Sequence, residues 1–330
     1  MYRIREILIR AGIDGFATLL VAAVVLAWLW PEVGVGEGLF SLSSLANYGI
    51  SVIFFFYGLK LSREKMRTSL GNWQLHILIH LTTFVLFPLM ILWIRPLFQG
   101  EENVLLWIGI FYLAALPSTV SSSVVMVSIA KGNVPAAIFN ASISSLIGVF
   151  ITPLWMSLIL SSATGVDTAG LWSMIGKLVL LVLLPVVLGM ALHRRWGAFA
   201  QKHQHTLRLF DQSIILLIVY TSFCASFTYR VFEGFSWIVI IGCAAGMMLL
   251  FFVVFLIVGF ICRRLKMNRK DTITAQFCGS KKSLVHGTAM SKVIFAGYSG
   301  IGVILLPIML YHALQLMVVS AIAKRYVMKI

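Results

Sequence analysis

Long apolar runs separated by short polar segments dominate the pattern of this chain. Ten runs have the roughly 20 residues that a helix needs to cross about 30 Å of hydrocarbon. They cover residues 14–30, 40–61, 74–96, 104–130, 134–160, 171–193, 211–228, 236–262, 272–296 and 300–323. The runs are continuous, unlike the alternating segments of about ten residues that form a membrane β-barrel. The pattern therefore predicts an all-α membrane protein with ten transmembrane helices, called here spans one to ten.

The polar segments between the spans leave no room for a soluble domain. The longest predicted loop covers only residues 194–210. The basic residues before the first run could belong to a secretory signal. The sequence WLWPEV at residues 28–33 is typical of an aromatic belt that ends a span. We therefore expect an uncleaved first helix and one membrane domain over residues 1–330.

Composition and charge fit this interpretation and orient the chain. Of the 330 residues, 60% are hydrophobic and 11% are charged. The net charge of +15 could indicate nucleic-acid binding. With a cytoplasmic amino terminus, however, twenty Lys and Arg residues fall in inner loops and only Arg95 and Arg230 fall in outer ones. This bias predicts a multi-pass protein of the cell membrane with both termini in the cytoplasm and with lipid, not nucleic acid, as its partner.

Four lysines lie within the predicted spans. Lys177 and Lys292 are near outer span ends, where their side chains can reach the interface. Lys281 is the tenth residue of span nine, about 13 Å deep at the helical rise of 1.5 Å per residue. A charge at that depth needs an anion, a water-filled cavity or the loss of its proton. Lys281 and its neighbour Lys282 are therefore candidates for function.

A repeated motif suggests internal symmetry. Residues 147–153 read IGVFITP and residues 301–307 read IGVILLP, so both match I-G-V-x-x-x-P. Two halves of five spans each must have opposite orientations, because five is odd. We therefore predict inverted repeats at about 10–160 and 171–325, an arrangement typical of secondary transporters. Two unrelated proline-kinked helices are the alternative.

Spans four and nine, which correspond in such a repeat, are both interrupted. Pro117 lies at the centre of span four and is followed by Ser118, Thr119 and three more serines. Gly279 precedes the polar sequence SKKS in span nine. Broken helices expose backbone groups that must face protein or water, and their amino ends favour anions. The pair predicts a binding site near the middle of the membrane, although kinks that serve only packing are the alternative.

The chain resembles the bile acid:sodium symporter superfamily over nearly its whole length, and three segments carry the most specific part of this resemblance. They are FVLFP at 84–88, AKGNVPAA at 130–137 and FCGSKKSL at 277–284. The last resembles the branch named sodium/bile acid cotransporter 7, which has been linked to cellular calcium regulation. The resemblance implies ten helices in two inverted five-helix repeats, with helices four and nine broken and crossing beside the ion and substrate sites.

The chain departs from that family at the sodium ligands. The bile acid carriers have Glu-x-Gly-x-Gln-Asn in helix nine, Ser-Asn in helix four, Ser and Thr in helix five and Gln in helix three. At the matching positions, helix nine here has Phe277, Lys281 and Lys282, and helix four has Ser121–Ser123 without Asn. Helix five has Ala137 and Ala141, and helix three has Thr83. The spans contain no Asp or Glu away from their cytoplasmic ends. Two ammonium groups would also repel sodium in a site of low dielectric constant.

These departures suggest that a lysine stands where related carriers bind sodium. The lysines could also attract an anionic substrate, or one of them could carry a proton during each cycle. Adjacent residues point to different sides of a helix, so we expect Lys281 at the helix crossing and Lys282 in the cavity. The predicted site residues, with helix breaks at Pro117 and Gly279, are Lys281, Lys282, Ser280, Ser283, Thr83, Ser121, Ser122, Ser123, Asn140 and His286.

Other kinds of chemistry find little support in the sequence. The four cysteines lie in apolar runs without CxxC spacing, so we expect neither a disulfide nor a metal site. There is no phosphate loop or paired-carboxylate site, and we expect no cofactor and no enzyme activity. The favoured function is secondary transport of a small organic, possibly steroid-like, anion. Sodium-coupled symport with unusual ligands, and regulation of ion homeostasis without transport, remain alternatives, with proton or sodium as the coupling ion.

Overall fold

The structure is a computed structural model that describes residues 15–36, 41–60, 72–98, 101–164, 176–177, 179–230, 233, 236–296, 298 and 300–328. The described part is helical. Its α-helices are α1 Gly15–Leu29, α2 Pro31–Val35, α3 Leu42–Lys60, α4 Trp73–Leu81, α5 Phe87–Trp93, α6 Glu101–Ala115, α7 Ser121–Ile129, α8 Val134–Thr164, α9 Leu184–Lys202, α10 Gln204–Thr228, α11 Trp237–Arg264, α12 Arg269–Gly279, α13 Leu284–Ile294 and α14 Ile301–Met328. Two π-helical turns, Thr82–Leu86 and Val179–Leu183, precede α5 and α9, and a 3₁₀ turn, Arg95–Leu97, follows α5.

Seven helical segments of the described part are long and apolar enough to cross a membrane. They are Leu42–Lys60, Trp73–Trp93, Val134–Leu160, Val179–Lys202, Gln204–Thr228, Trp237–Arg264 and Ile301–Tyr326. Shorter apolar helices cover Thr18–Leu29 and Asn103–Ala115. The prediction of an all-α, multi-pass membrane protein is therefore confirmed. The ten-span inverted repeat and its sidedness remain predictions. Residues 1–14, 61–71 and 165–175, which hold parts of the predicted loops and the ends of spans one, two and six, lie outside the described residues.

The predicted loop 194–210 is wrong. Helices α9 and α10 run through it and meet at a turn at His203. The apolar stretch ends near residue 193, but Ala, Arg, Gln and Lys continue a helix as readily as apolar residues do. Hydropathy therefore located the membrane segment and missed the two helix ends that extend beyond it.

The helices form two packed groups. In the first group, called the panel, α9 packs along α3, and α10 packs against α1, α2 and α3. The second group, called the crossing bundle, contains α4–α8 and α11–α14, with α6 against α14 and α12 against α4, α7, α8 and α11. Hydrogen bonds between the groups include Tyr57 Oη to Ser145 Oγ at 3.0 Å and Lys292 Nζ to Thr221 Oγ1 at 3.0 Å.

The two copies of the I-G-V-x-x-x-P motif pack differently. A Cβ atom on Gly148 would lie 2.8 Å from the ring of Pro117, so this glycine makes room for the break in span four. A Cβ atom on Gly302 would lie 2.7 Å from Ser226 Oγ, on α10 of the panel. Each glycine therefore permits a close approach, but only Gly148 does so at a helix break.

A buried carboxylate ties together the starts of three helices. The side-chain amides of Asn72, Asn133 and Asn268 donate to Asp271 at 2.7, 2.8 and 2.5 Å. Asn133 and Asn268 also cap α8 and α12, because their Oδ1 atoms accept from Ala136 N and Asp271 N. These amide donors and the amino ends of the helices stabilise a carboxylate that is only 5% exposed. The AKGNVPAA segment, which supplies Asn133, thus fixes α8 to α4 and α12.

We expect Asp271→Ala to lower the free energy of unfolding on the order of 3 kcal/mol, because hydrogen bonds to a charged group contribute ~1.5–3 kcal/mol each. Thermal unfolding of the purified protein would measure the loss. The matched control is Glu233→Ala, which removes a carboxylate from an exposed ion pair with Arg230 and should change little. Equal stability of the two variants would contradict a structural role for the Asp271 cluster.

Candidate functional site

The break in span four follows from the chemistry of proline. Helix α6 ends at Ala115, and α7 begins at Ser121. Pro117 has no N–H to donate to Leu113, whose carbonyl oxygen instead accepts from Leu116 N in a tighter turn. The carbonyl groups at the end of α6 are thereby free to accept bonds from outside their own helix.

The break in span nine is set by serines. Helix α12 ends at Gly279, where Ser280 Oγ donates to the carbonyl oxygen of Gln276 at 2.6 Å. Such local bonds compete with helix continuation. Ser283 then caps α13 by accepting from His286 N at 3.3 Å. A Cβ atom on Gly279 would meet Thr82 at an ordinary 3.4 Å, so the serines account for the break better than the glycine does.

The two breaks contact each other through hydrogen bonds to backbone carbonyl oxygens. Ser283 N donates to the carbonyl oxygen of Pro117 at 3.0 Å, and Ser118 Oγ donates to that of Cys278 at 2.6 Å. Gln315 of α14 brackets Lys282, since its amide accepts from Lys282 N at 3.0 Å and donates to Lys282 O at 2.9 Å. Irregular backbone is thereby satisfied by protein groups, as the interior of a membrane requires.

A third free carbonyl group comes from span three. In the π-helical turn, Phe87 N donates to Thr82 O, five residues earlier, instead of to Thr83 O. Pro88, the next residue, lacks an N–H and cannot take up the bond in either helix geometry. The carbonyl oxygens of Thr83 and Phe84 therefore need other donors. Trp155 Nε1 donates to Phe84 O at 2.8 Å, and a lysine reaches Thr83 O.

That lysine is Lys282, whose ammonium group fills the point where the three elements meet. Its Nζ donates to the carbonyl oxygens of Thr83, Ala114 and Leu116 at 2.7, 2.6 and 2.9 Å. It also lies 4.2 Å from the centre of the Phe87 ring, a cation–π contact. The side chain is 1% exposed. All three N–H groups of the ammonium are used, and the carboxyl end of α6 favours a cation.

Lys281 points elsewhere and has different surroundings. Its Nζ donates to Ser122 Oγ at 2.7 Å, in the first turn of α7, and the side chain is fully buried. Neither ion pair among the described residues, Lys60–Asp211 or Arg230–Glu233, involves it. The residue before α7, Val120, provides no side-chain cap. Lys281 thus places its amino group at a helix amino end, which favours anions, and Ser122 Oγ is its acceptor among the described side chains.

The expectation that Lys281 lies at the crossing is therefore wrong. Lys282, and not Lys281, lies at the crossing of the broken helices. The reason is the turn between α12 and α13, where Gln315 holds the Lys282 backbone on both sides. The periodicity of a regular helix could not predict side-chain directions within that non-helical turn.

A chain of hydroxyl groups continues from Lys281. Ser122 Oγ donates to Thr119 Oγ1 at 2.9 Å, and Thr119 Oγ1 lies 2.8 Å from Ser123 Oγ. Ser123 is buried, whereas Ser122 is partly exposed. Ser121 begins α7, but its side chain lies outside the described part of the structure.

Two predicted site residues lie away from the crossing. Asn140 Oδ1 is 3.1 Å from His76 Nδ1 on α4, and its Nδ2 donates back to Ala136 O, so it joins two helices. His286 faces the panel, with its ring centre 5.3 Å from that of Phe54 and 5.8 Å from that of Tyr57. Its Nδ1 contacts Ser283 Oγ, while Nε2 is buried with no hydrogen-bond partner among the described residues.

The position that matches the sodium-binding Glu of related carriers is fully apolar. The ring of Phe277 is completely buried between Phe255 and Tyr326, with ring centres 5.9 and 6.0 Å away. Gln276 has a structural role that its sequence context does not indicate, because its amide joins Phe255 O to Tyr326 Oη. The π-helical turn before Pro88 was not predicted, although a proline inside a span is a signal for such a turn.

Comparisons with known proteins agree with the architecture. A sequence model described as the SBF-like CPA transporter family matches residues 14–328. The chain is 40% identical to uncharacterized protein PA2026 of Pseudomonas aeruginosa, over 95% of this chain and 92% of that protein. It is 30% identical to sodium/bile acid cotransporter 7 of Mus musculus, over 96% and 93% of the two chains. The cotransporter 7-A of Xenopus laevis is 29% identical, over 94% and 90%.

We expect Lys282→Met to lower the free energy of unfolding by about 3 kcal/mol or more, because three buried carbonyl groups lose their donor at ~1–3 kcal/mol each. The control is Lys292→Met, which loses one hydrogen bond to Thr221 and should cost less, because a single hydroxyl group loses its partner. Thermal unfolding of both variants in detergent tests this order. A Lys282 variant as stable as the Lys292 variant would show that the carbonyl cluster does not need the ammonium.

Proposed function

Since the chain belongs to the SBF-like CPA transporter family, we propose that it carries a small organic anion across the membrane by alternating access. Membership makes it a multi-pass membrane transporter. The residues of the site favour a negatively charged substrate. Two buried lysines lie beside the span-four break, and the salt bridges of the described residues give neither a carboxylate partner. An anion would supply the missing negative charge.

One observation carries this proposal, namely the position of Lys281 at the uncapped amino end of α7. The ammonium and the helix end both favour a negative group there. A carboxylate or sulfonate of the substrate would accept the two N–H groups that Lys281 does not give to Ser122. A neutral substrate would gain nothing from an ammonium at this position, and a cationic one would be repelled by it.

Lys282 acts in this proposal as a built-in cation. Its ammonium satisfies carbonyl oxygens of span three and of the span-four break, as a sodium ion would with oxygen ligands. Because it is covalently attached, it stays in place throughout the transport cycle. Transport then needs no sodium at this position, and the apolar Phe277 replaces the usual Glu without leaving an unpaired ion.

The arrangement of the helices suggests how access alternates. The panel and the crossing bundle are each well packed, and the hydrogen bonds between them include Tyr57–Ser145 and Lys292–Thr221. Rocking of the panel against a rigid bundle would open one side and then the other. The Asp271 cluster, which ties α4, α8 and α12 together, would keep the site intact during that motion.

The names of the relatives suggest a first probe. Two of them are sodium/bile acid cotransporters, and bile acids are amphipathic steroid anions of the charge type that the site favours. Sodium coupling through unusual ligands is the second candidate, which those names favour. Regulation of ion homeostasis, with calcium as the suggested ion, is a third and requires no substrate turnover.

Counterflow in proteoliposomes tests transport itself. We expect vesicles loaded with unlabelled taurocholate to accumulate labelled taurocholate saturably, because a carrier exchanges substrate across the membrane. Lys281→Gln should reduce the rate at least ten-fold, the equivalent of about 1.4 kcal/mol or more in transition-state stabilisation. Lys202→Gln, a change at an exposed residue of α9, is the control. Flat uptake by the wild type across taurocholate and a series of other carboxylates and sulfonates would instead support a regulatory protein.

Stability in sodium tests the built-in cation. The wild type should show the same unfolding temperature in sodium and choline chloride, because Lys282 already occupies the carbonyl cluster. Lys282→Ala should be less stable in choline and partly recover in sodium, since an ion that binds only the folded state stabilises it by mass action. If millimolar sodium stabilises the wild type, and Lys281→Gln equally, sodium symport becomes the leading mechanism.

A further inference from the structure

We propose that this transporter couples anion movement to protons, with Lys281 binding one proton together with each substrate anion. The inference rests on the proposed anion transport and adds the coupling ion and the residue that carries it. It starts from the different surroundings of the two adjacent lysines. One is fully satisfied as a cation, and the other is not.

Lys282 is held as a permanent ammonium. Carbonyl oxygens accept from each of its three N–H groups, and an aromatic face covers it. Removing the proton would leave one of those buried carbonyl groups without a donor, which costs free energy. A proton that cycles at every turnover therefore does not belong on Lys282.

Lys281 has the opposite environment. Among the described side chains, a single hydroxyl group, Ser122 Oγ, accepts from it, and the amino end of α7 disfavours a cation. The titratable groups that interact with it electrostatically are Cys278 on α12 and His312 on α14. Lys282 is its neighbour in sequence and adds a second positive charge. Within the described part of the chain, these surroundings supply no carboxylate to an ammonium at this position.

An anion changes this balance. A substrate carboxylate or sulfonate beside Lys281 would favour the ammonium form, so the anion and the proton promote each other's binding. Such coupling is reciprocal, and the proton therefore increases affinity for the anion by the same factor. The step balances in charge and atoms, since a neutral amine, one proton and one monoanion give an ammonium–anion pair. Release on the other side returns the amine, and one proton crosses with each monoanion.

The hydroxyl group of Ser122 provides a proton route to Lys281, and Thr119 and Ser123 extend the network on its buried side. Ser122, Thr119 and Ser123 form consecutive contacts of 2.9 and 2.8 Å, and hydroxyl groups can both donate and accept. Ser122, which contacts Lys281 directly, is the partly exposed member. A proton can thus reach the lysine without passing the Lys282 cluster.

The first experiment follows the pH inside proteoliposomes that contain the full-length protein and an entrapped pH-sensitive dye. Taurocholate is the probe, because its sulfonate does not carry protons across lipid by itself. We expect an inward taurocholate gradient to acidify the lumen, and expect the rate to be the same with or without sodium. Lys202→Gln should behave like the wild type. Net uptake without acidification, driven by membrane potential alone, would overturn the proposal.

Two substitutions separate the proton from the charge. Arginine stays protonated in proteins, so Lys281→Arg should retain anion exchange while net uptake and acidification fall at least ten-fold. Lys281→Gln should lose exchange as well. Equal acidification by wild type and Lys281→Arg would contradict a proton cycle on this side chain, while leaving anion transport itself intact.

A second measurement needs no substrate. If the folded, empty site holds a neutral amine, the unfolded chain binds one proton more, and stability must rise with pH. The unfolding temperature of the wild type should therefore rise between pH 6 and 9 relative to that of Lys281→Gln. Parallel curves for the two proteins would overturn proton binding at Lys281 even if taurocholate were not transported.

Discussion

The crossing of the broken helices depends on one buried ammonium. Lys282 donates to three carbonyl oxygens that proline residues and a π-helical turn remove from ordinary helical bonding. Each feature would be costly alone, because free carbonyl groups and an unpaired lysine are both unfavourable inside a membrane. Together they satisfy one another. The side chain of Lys282, in span nine, therefore joins spans three and four by hydrogen bonds to their carbonyl oxygens.

The two lysines of the site lie at helix ends of opposite polarity. Lys282 lies at the carboxyl end of α6, where the helix dipole stabilises positive charge. Lys281, its neighbour in sequence, extends to the amino end of α7, where a helix stabilises negative charge. Two residues of the same type thus occupy opposite electrostatic environments. One serves as a structural cation, and the other is available to an anion.

The polar contacts within the crossing bundle differ from those between the bundle and the panel. In the crossing bundle, the Asp271 carboxylate joins three helix starts, and Gln315 holds the span-nine turn. Contacts from bundle to panel instead use single hydroxyl groups, such as Ser145 and Thr221. The Tyr57–Ser145 contact joins two neutral groups, so breaking it costs little compared with unpairing a buried charge. This difference in strength suits the proposed motion of the panel against the bundle.

The sequence by itself determined the membrane class, the breaks near Pro117 and Gly279, and the importance of the lysine pair, because apolar length, proline and intramembrane charge act locally. It did not reveal that residues 194–210 are helical, because hydropathy measures lipid contact and not backbone structure. Only the tertiary structure decided which lysine meets the crossing, and that Asn140 and His286 lie elsewhere. Side-chain direction within a non-helical turn depends on partners distant in sequence, such as Gln315 and Thr83, and no local pattern encodes those contacts.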